Sequence, residues 1–373
     1  MPECDADRGG DARREHLGGE PAGIADALGD HGGERVLDLG GGGEERVADL
    51  ASALGGRVLI EYVESADDLY AVIIGAGPPV LRALGPVGPV RLELDSLRFA
   101  WRRLLTGHGS AASLRAAAQL AAHAASRLDD ALIAPLAPLP AGCPLILVPP
   151  GRLRSLPWPM LPGCANRPVT VAPSAASWLT ARQASSEARR VVLVAGPGLT
   201  GAAGEIEALS EIYPGAQVLT GCDATVSATL RALNGADVAH VAAHGTFRVD
   251  NPLFSSLLLA DGPLTVYDLE RLNSAPRTIM LTACDSGLSP VGPGDEMTGL
   301  AAALLAVGAS AVIAPLLPLP DVVSARLARG WHRRVSEGAT SAAALAEVAA
   351  EAAADEPLAR LAAAALVCLG YGG

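Results

Sequence analysis

Apolar positions recur along the chain with two periods, and the alternation between them divides it into elements. Up to about residue 55 the chain is rich in Gly, Asp, Glu and Arg, with little apolar periodicity before Val36. That pattern predicts a tail or linker, partly disordered, with one short helix at EERVADLASALG. From Arg57 two alternating runs, RVLIEYVES and LYAVIIGAG, separated by ADD, predict a β-hairpin. Helical spacing then takes over in LELDSLRFAWRRLLTG and SLRAAAQLAAHAASRLDDALIAPL, which predict two helices, and CPLILVPPG predicts a strand.

Beyond a Pro-rich loop around LPWPMLPG, strands and helices alternate. RRVVLVAGP precedes GEIEALSEIY, QVLTG precedes TVSATLRALN, and DVAHVAAHG is followed by a polar hairpin and TIMLTAC. A helix over residues 299–308, SAVIAPLL, two more helices and AALVCLGYG complete the series. This rhythm predicts an α/β fold, a mostly parallel sheet flanked by helices on both faces and preceded by a short N-terminal β-hairpin and helices. The expected organisation is a tail at 1–55 and one domain at 56–373, whose parts are 56–135 and 142–373.

In parallel sheets, functional groups gather at the carboxyl ends of the strands. His244 closes DVAHVAAHG and Cys284 closes TIMLTAC, 40 positions later, enough for a hairpin and a short helix. Neighbouring parallel strands would bring the two side chains together. An imidazole beside a thiol takes its proton or stabilises the thiolate, which makes cysteine a nucleophile at neutral pH. Gly245 lets backbone approach a substrate closely, and the amides of Gly245 and Cys284 would both face a developing oxyanion. The loop DSGLSPVGPGDE after the thiol has no bulky residue before Leu288, leaving room for a peptide.

Composition narrows the field. The net charge of -12 excludes nonspecific nucleic-acid binding, which needs a basic face; all 28 basic residues are Arg, and they form no stripe. Met297 to Pro320 carries no charge, but Gly308, Ser310 and three prolines interrupt it, so it reads as a buried helix and a buried strand, with no membrane span. No apolar leader segment opens the chain, which predicts a cytoplasmic protein with free thiols. Cys143, Cys222 and Cys368 read as inert small core residues. There is no C-x-x-C pair and no cysteine with a histidine at ligand spacing, so no metal is expected.

Two other motifs stand in the chain. HVAAH superficially matches the zincin helix but lacks its glutamate and reads as a strand. His240 then lies roughly 13 Å before His244, at about 3.3 Å per residue, and is expected to be a core or support histidine. VLDLGGGGEE, residues 36–45, with Glu61 following, looks like the nucleotide loop of S-adenosylmethionine-dependent methyltransferases. A lone glycine loop is a weak signal, so this is the lesser alternative.

With these residues in place, the chain from about Arg57 to Gly373 resembles the CHAT domain family of caspase-like, separase-related cysteine peptidases. The likeness is carried by VLIEYVESADDLYAVII, LILVPPGRLRSLPWPML, HVAAHGTFRVDNPLFSSLLLADG, TIMLTACDSG, GDEMTGLAAALLAVGASAVIAPL and ALVCLGYG, in that order. The resemblance implies a Cys284–His244 dyad that cleaves peptide bonds through a thioester, with Gly245 and Cys284 as the oxyanion hole. It implies no metal or organic cofactor, a protein or peptide substrate, and a bacterial stress, defence or cell-death pathway.

Relatives commonly carry a Trp-x-Val-x-Asp run after the strand that follows the post-Cys helix. This chain has Leu317, Pro318, Leu319, Pro320 and Asp321, keeping the acid and losing the Trp. In separase-like enzymes the acid of that run lies near the pocket for the side chain before the cut, so the resemblance implies Asp321 as the specificity residue. Asp285 and Asp295 are weaker candidates, Asp295 reading first as a helix N-cap at GDEMTG. Residues 1–55 are too short for the helical repeats that often precede such domains, so regulation is expected from a separate partner, the tail or a substrate encoded elsewhere. The competing reading is a catalytically weak CHAT domain that serves as a binding or scaffold module.

Overall fold

The strand-forming runs of the sequence join one eleven-stranded sheet in a computed structural model that describes residues 43–107, 109–182, 190–246, 254–282, 296–317, 319–355 and 357–373. The first elements are α1 (Gly43–Leu54), β1 (Val58–Ser65), β2 (Asp68–Ile74), β3 (Val80–Pro86), α2 (Val87–Thr106) and α3 (Ala111–Leu132). They are followed by β4 (Leu145–Val148), β5 (Val169–Val171), α4 (Ala175–Ala181), β6 (Val191–Ala195), α5 (Ala202–Ile212), β7 (Gln217–Leu219), α6 (Val226–Leu233) and β8 (Val238–Ala242). The chain then forms β9 (Gly245–Thr246), β10 (Ser256–Leu259), β11 (Gly262–Thr265), α7 (Val266–Leu269), β12 (Thr278–Leu281) and α8 (Glu296–Ala306). It continues through β13 (Ala311–Pro315), α9 (Asp321–Ser336), α10 (Ser341–Asp355), α11 (Pro357–Ala363) and β14 (Leu366–Gly370).

The strand order is β3-β2-β1-β4-β5-β14-β13-β12-β8-β6-β7, and β9, β10 and β11 form a separate small sheet. Pairings from β13 through β12, β8 and β6 to β7 are parallel, as the strand-helix alternation requires. Two features depart from expectation. The predicted hairpin is the edge of the main sheet, with β1 running parallel to β4, and a third strand, β3, extends it. β14 lies in the middle, parallel to β5 and antiparallel to β13.

Period-two burial explains the layers. Val192 and Val194 face α6, α7 and α8 with Val241, Leu281 and Val312. Val191, Leu193 and Ala195 face α5 with Val238 and Ala242. Farther along that second face, Met280 and Ile313 pack against α9, α10 and α11 around Trp331. The apolar run at Met297–Pro320 is thus α8 and β13, and no described helix is long and apolar enough to cross a membrane. All four tryptophans are buried, and three of them donate their indole N–H to backbone carbonyls of Leu361, Tyr371 and Ser341. Those bonds satisfy a donor that burial would otherwise leave unpaired.

Candidate functional site

Because β13, β12, β8 and β6 run parallel, their carboxyl ends share one edge of the sheet. β8 and β12 align Val241 with Leu281, and the N–H of Thr282 donates to the carbonyl of Val241 at 3.0 Å. β8 ends at Ala242, and His244 follows as a half-buried side chain. Its carbonyl accepts from the N–H of Leu258 at 2.8 Å, and Gly245 pairs with Leu257, so the small sheet begins at the histidine. Gly245 is buried, as expected of backbone that packs closely.

A loop overlooked in the sequence completes the surroundings. Residues 196–201, GPGLTG, leave β6 for α5 at this same edge. Gly196 donates its N–H to Ala242 at 2.7 Å. A Cβ on Gly196 would lie 2.5 Å from the carbonyl oxygen of Leu258 and 2.8 Å from the Cβ of Ala243. Only glycine allows three segments to approach so closely. Gly198, at φ +75°, would place a Cβ 3.5 Å from Nε2 of His244, and Gly201 one at 3.5 Å from Cβ of Asp321. The loop therefore borders His244 at one end and Asp321 at the other. Asp321 opens α9 behind Pro320, and a carboxylate in the first turn is favoured by the helix dipole. The signal of the loop in the sequence is its three glycines, Gly196, Gly198 and Gly201, within six residues of the end of an apolar strand.

Cys284, Asp285 and Asp295, expected at the site from the sequence, lie outside the described residues. Thr282, two residues before the thiol, is the last described residue of that segment; it is buried at the end of β12.

His240 is wholly buried, as a core or support histidine should be. Its Nδ1 lies 3.0 Å from Nε2 of His332, and its Nε2 lies 3.2 Å from Oγ1 of Thr282. Oε1 of Glu205 is 3.1 Å from the same Nε2, at ion-pair distance but off the line of a well-formed hydrogen bond. Burial, followed by the neighbouring His240, holds the pKa of His332 well below the ordinary imidazole value. Among the described residues no cluster of three or more His, Cys, Asp or Glu is placed to hold a metal. Glu61, the acid that a methyltransferase reading needs after the glycine loop, lies in the middle of β1 and is buried.

The cysteines divide by environment. Cys143, Cys164 and Cys368 are buried, and burial raises all three thiol pKa values, those of Cys164 and Cys368 to about 12. Cys222 is exposed, which corrects its assignment to the core: it sits in a short turn after the edge strand β7, whose Gln217 and Val218 are themselves exposed. A thiol reagent applied to the folded protein is therefore expected to modify Cys222 and to spare Cys143, Cys164 and Cys368, as peptide mass mapping would register. Modification of the three buried thiols at the rate of Cys222 would contradict the burial. A cavity of about 630 Å³ lined by Trp158, Met160, Cys164, Cys368 and alanines of α3 and α10 shares no residue with the constellation at the strand ends.

The chain matches the CHAT domain model over residues 122–364. It belongs to the CHAT domain family. The match begins within α3, whereas the resemblance in sequence extends from about Arg57; before the match, β1, β2 and β3 belong to the same sheet and α2 packs into the same core. Among solved structures, two of the separase-securin complex of Saccharomyces cerevisiae align with TM-scores of 0.59 and 0.58 at 11% and 10% identity, covering 87% of this chain in each case. The chain spans only 30% and 31% of those separase chains. The Arg-specific cysteine proteinase gingipain R aligns with a TM-score of 0.44 at 12% identity, over 76% of this chain and 75% of that one. No curated protein matches the sequence. At such identities the likeness is one of fold: the CHAT domain here is a caspase-like α/β sheet with helices on both faces.

Proposed function

We infer that this CHAT protein is a cysteine endopeptidase acting on one or few protein substrates, with Cys284 as nucleophile and His244 as general acid and base. One observation carries the reading. β8 and β12 are adjacent and parallel, and their register puts Thr282 beside the residues leading to His244. Thr282, two residues before Cys284 in the sequence, thus stands at the edge at which the imidazole emerges.

The chemistry follows from those groups. His244 takes the thiol proton, and the thiolate attacks the peptide carbonyl carbon. The oxyanion that forms is met by the amides of Gly245 and Cys284. Protonated His244 then gives its proton to the leaving amine, and water, deprotonated by the same imidazole, hydrolyses the thioester. This sequence needs no metal or organic cofactor. Asp321, across the Gly196–Gly201 loop from the histidine, would select a basic side chain before the cut, with Asp285 as a further contact. A reducing cytoplasm suits the thiol. A separate regulatory partner fits as well, since the solved separases are complexes with securin. The stress, defence or cell-death role of bacterial relatives is the setting we carry over by resemblance.

Mass-spectrometric profiling of a diverse peptide library tests the reading. New termini are expected with the wild-type chain, preceded by Arg or Lys, and are expected to be missing with Cys284→Ala. Asp321→Asn should cut with the basic preference weakened by about tenfold or more, the scale of a lost charge-assisted contact. Identical termini from the wild-type and Cys284→Ala chains would remove Cys284 as nucleophile, and a wild-type chain that cuts nothing would favour the scaffold reading.

A further inference from the structure

Beneath the strand ends lies a buried polar chain for which the reaction above has no use. His240, His332 and Tyr213 are buried, as are Glu205 and Thr282. Buried polar groups in a caspase-like core are costly unless mutually satisfied, and in this chain they are linked in series.

The donors fix most of the protons. The hydroxyl of Tyr213 donates to the carbonyl of His332 at 3.0 Å, so its oxygen is left to accept from Nδ1 of His332 at 3.3 Å. His332 then has an acceptor at Nε2, in keeping with the neutral ring that burial enforces, and Nδ1 of His240 donates to it at 3.0 Å. At the far end, Nε2 of His240 faces both the carboxylate of Glu205 at 3.1 Å and the hydroxyl of Thr282 at 3.2 Å. The carboxylate stands at ion-pair distance and the Thr282 hydroxyl at hydrogen-bond distance from that one nitrogen, which makes it the junction of the three side chains.

The members are distributed in a telling way. Glu205 stands in the first turn of α5, directly after the loop that touches His244 and Asp321. His240 is four residues before His244 on β8, and Thr282 is two residues before Cys284 at the end of β12. His332 lies on α9, the helix that Asp321 opens. Each of the four segments that deliver a residue or loop to the candidate site thus contributes one side chain to a single junction.

We propose that Glu205, His240, His332 and Thr282 are positioning residues: their buried junction fixes the ends of β8 and β12 against α5 and α9, and so sets the alignment of the His244 imidazole with the segment carrying Cys284. The proposal rests on the peptidase reading, because it concerns the alignment of that dyad. The junction never touches substrate. It acts through strand position, and displacement of a reacting pair by about 1 Å is enough to slow chemistry substantially.

The test uses the full chain and follows alkylation of Cys284 by iodoacetamide, by mass spectrometry across pH, beside thermal melting. The variants are Thr282→Val, which keeps shape and removes the hydroxyl, Thr282→Ser, which restores it, Glu205→Gln and His244→Ala. Thr282→Val and Glu205→Gln are expected to slow Cys284 alkylation at neutral pH by about tenfold or more and to move its pH profile toward that of His244→Ala, with Thr282→Ser returning to wild type. If both variants melt lower but keep the wild-type pH profile, the junction is only structural and the proposal is overturned. Should Thr282→Val fail to fold, the Glu205→Gln profile decides alone. A wild-type profile identical to that of His244→Ala would instead sink the dyad itself, and the positioning proposal with it.

Discussion

His244→Ala is expected to lower peptide turnover by about two to four orders of magnitude, the usual contribution of a positioned general base, while the fold survives. The side chain is half-buried at the rim of the sheet, so truncating it leaves no large internal void. The segment is anchored by its backbone, through the carbonyl of His244 to Leu258 and the pairing of Gly245 with Leu257, and neither bond needs the imidazole. Activity and melting temperature should therefore separate. Added imidazole is expected to restore part of the lost rate, since truncation at Ala leaves the half-buried space of the ring unfilled. Turnover within tenfold of wild type would remove His244 from the mechanism.

The largest structural effect is expected from Gly196→Val. Its Cβ would meet the Leu258 carbonyl oxygen and the Ala243 Cβ at 2.5 and 2.8 Å, and neither obstacle is the end of a flexible side chain. Relief requires β10 to retreat from the end of β6, which pulls on the Leu258 bond to His244. Overpacking of this kind costs about 1–3 kcal/mol or more, and a branched side chain stands at the upper end. Melting temperature and turnover should fall together. Gly204→Ala on α5 is the matched control: nothing lies within 4 Å of its added Cβ, and a helical Gly→Ala change is expected to stabilise by about 0.5–1 kcal/mol. Equal melting of Gly196→Val and wild type would refute the close approach.

How much of this was legible in the sequence depended on whether the signal was local. β8, β12 and β13 were readable because a strand covered on both faces is a continuous apolar run. His244 was readable because it ends such a run. β3 was missed because PVLRALGP is half-exposed, with alternation broken by Gly and Pro. The antiparallel course of β14 was hidden because alternation marks a strand and not its direction. The Gly196–Gly201 loop was visible but lost in a chain with 42 glycines and 28 prolines. His332 carried no local mark at all, since its partner His240 is 92 residues away. Cys222 was misread because an apolar neighbour such as Val218 does not reveal that its strand lies at the sheet's edge.

The central place of β14 bears on how the molecule comes into being. β1 to β5 and β6 to β13 are made first, and the strand that joins the two groups is translated after both. Until residues 366–370 emerge from the ribosome, β5 and β13 each present a bare edge, the kind of surface that recruits foreign strands. The joining contacts span nearly 200 residues between β5 and β14, a separation that slows folding. The pairing that closes the middle of the sheet is therefore the last that the order of synthesis allows.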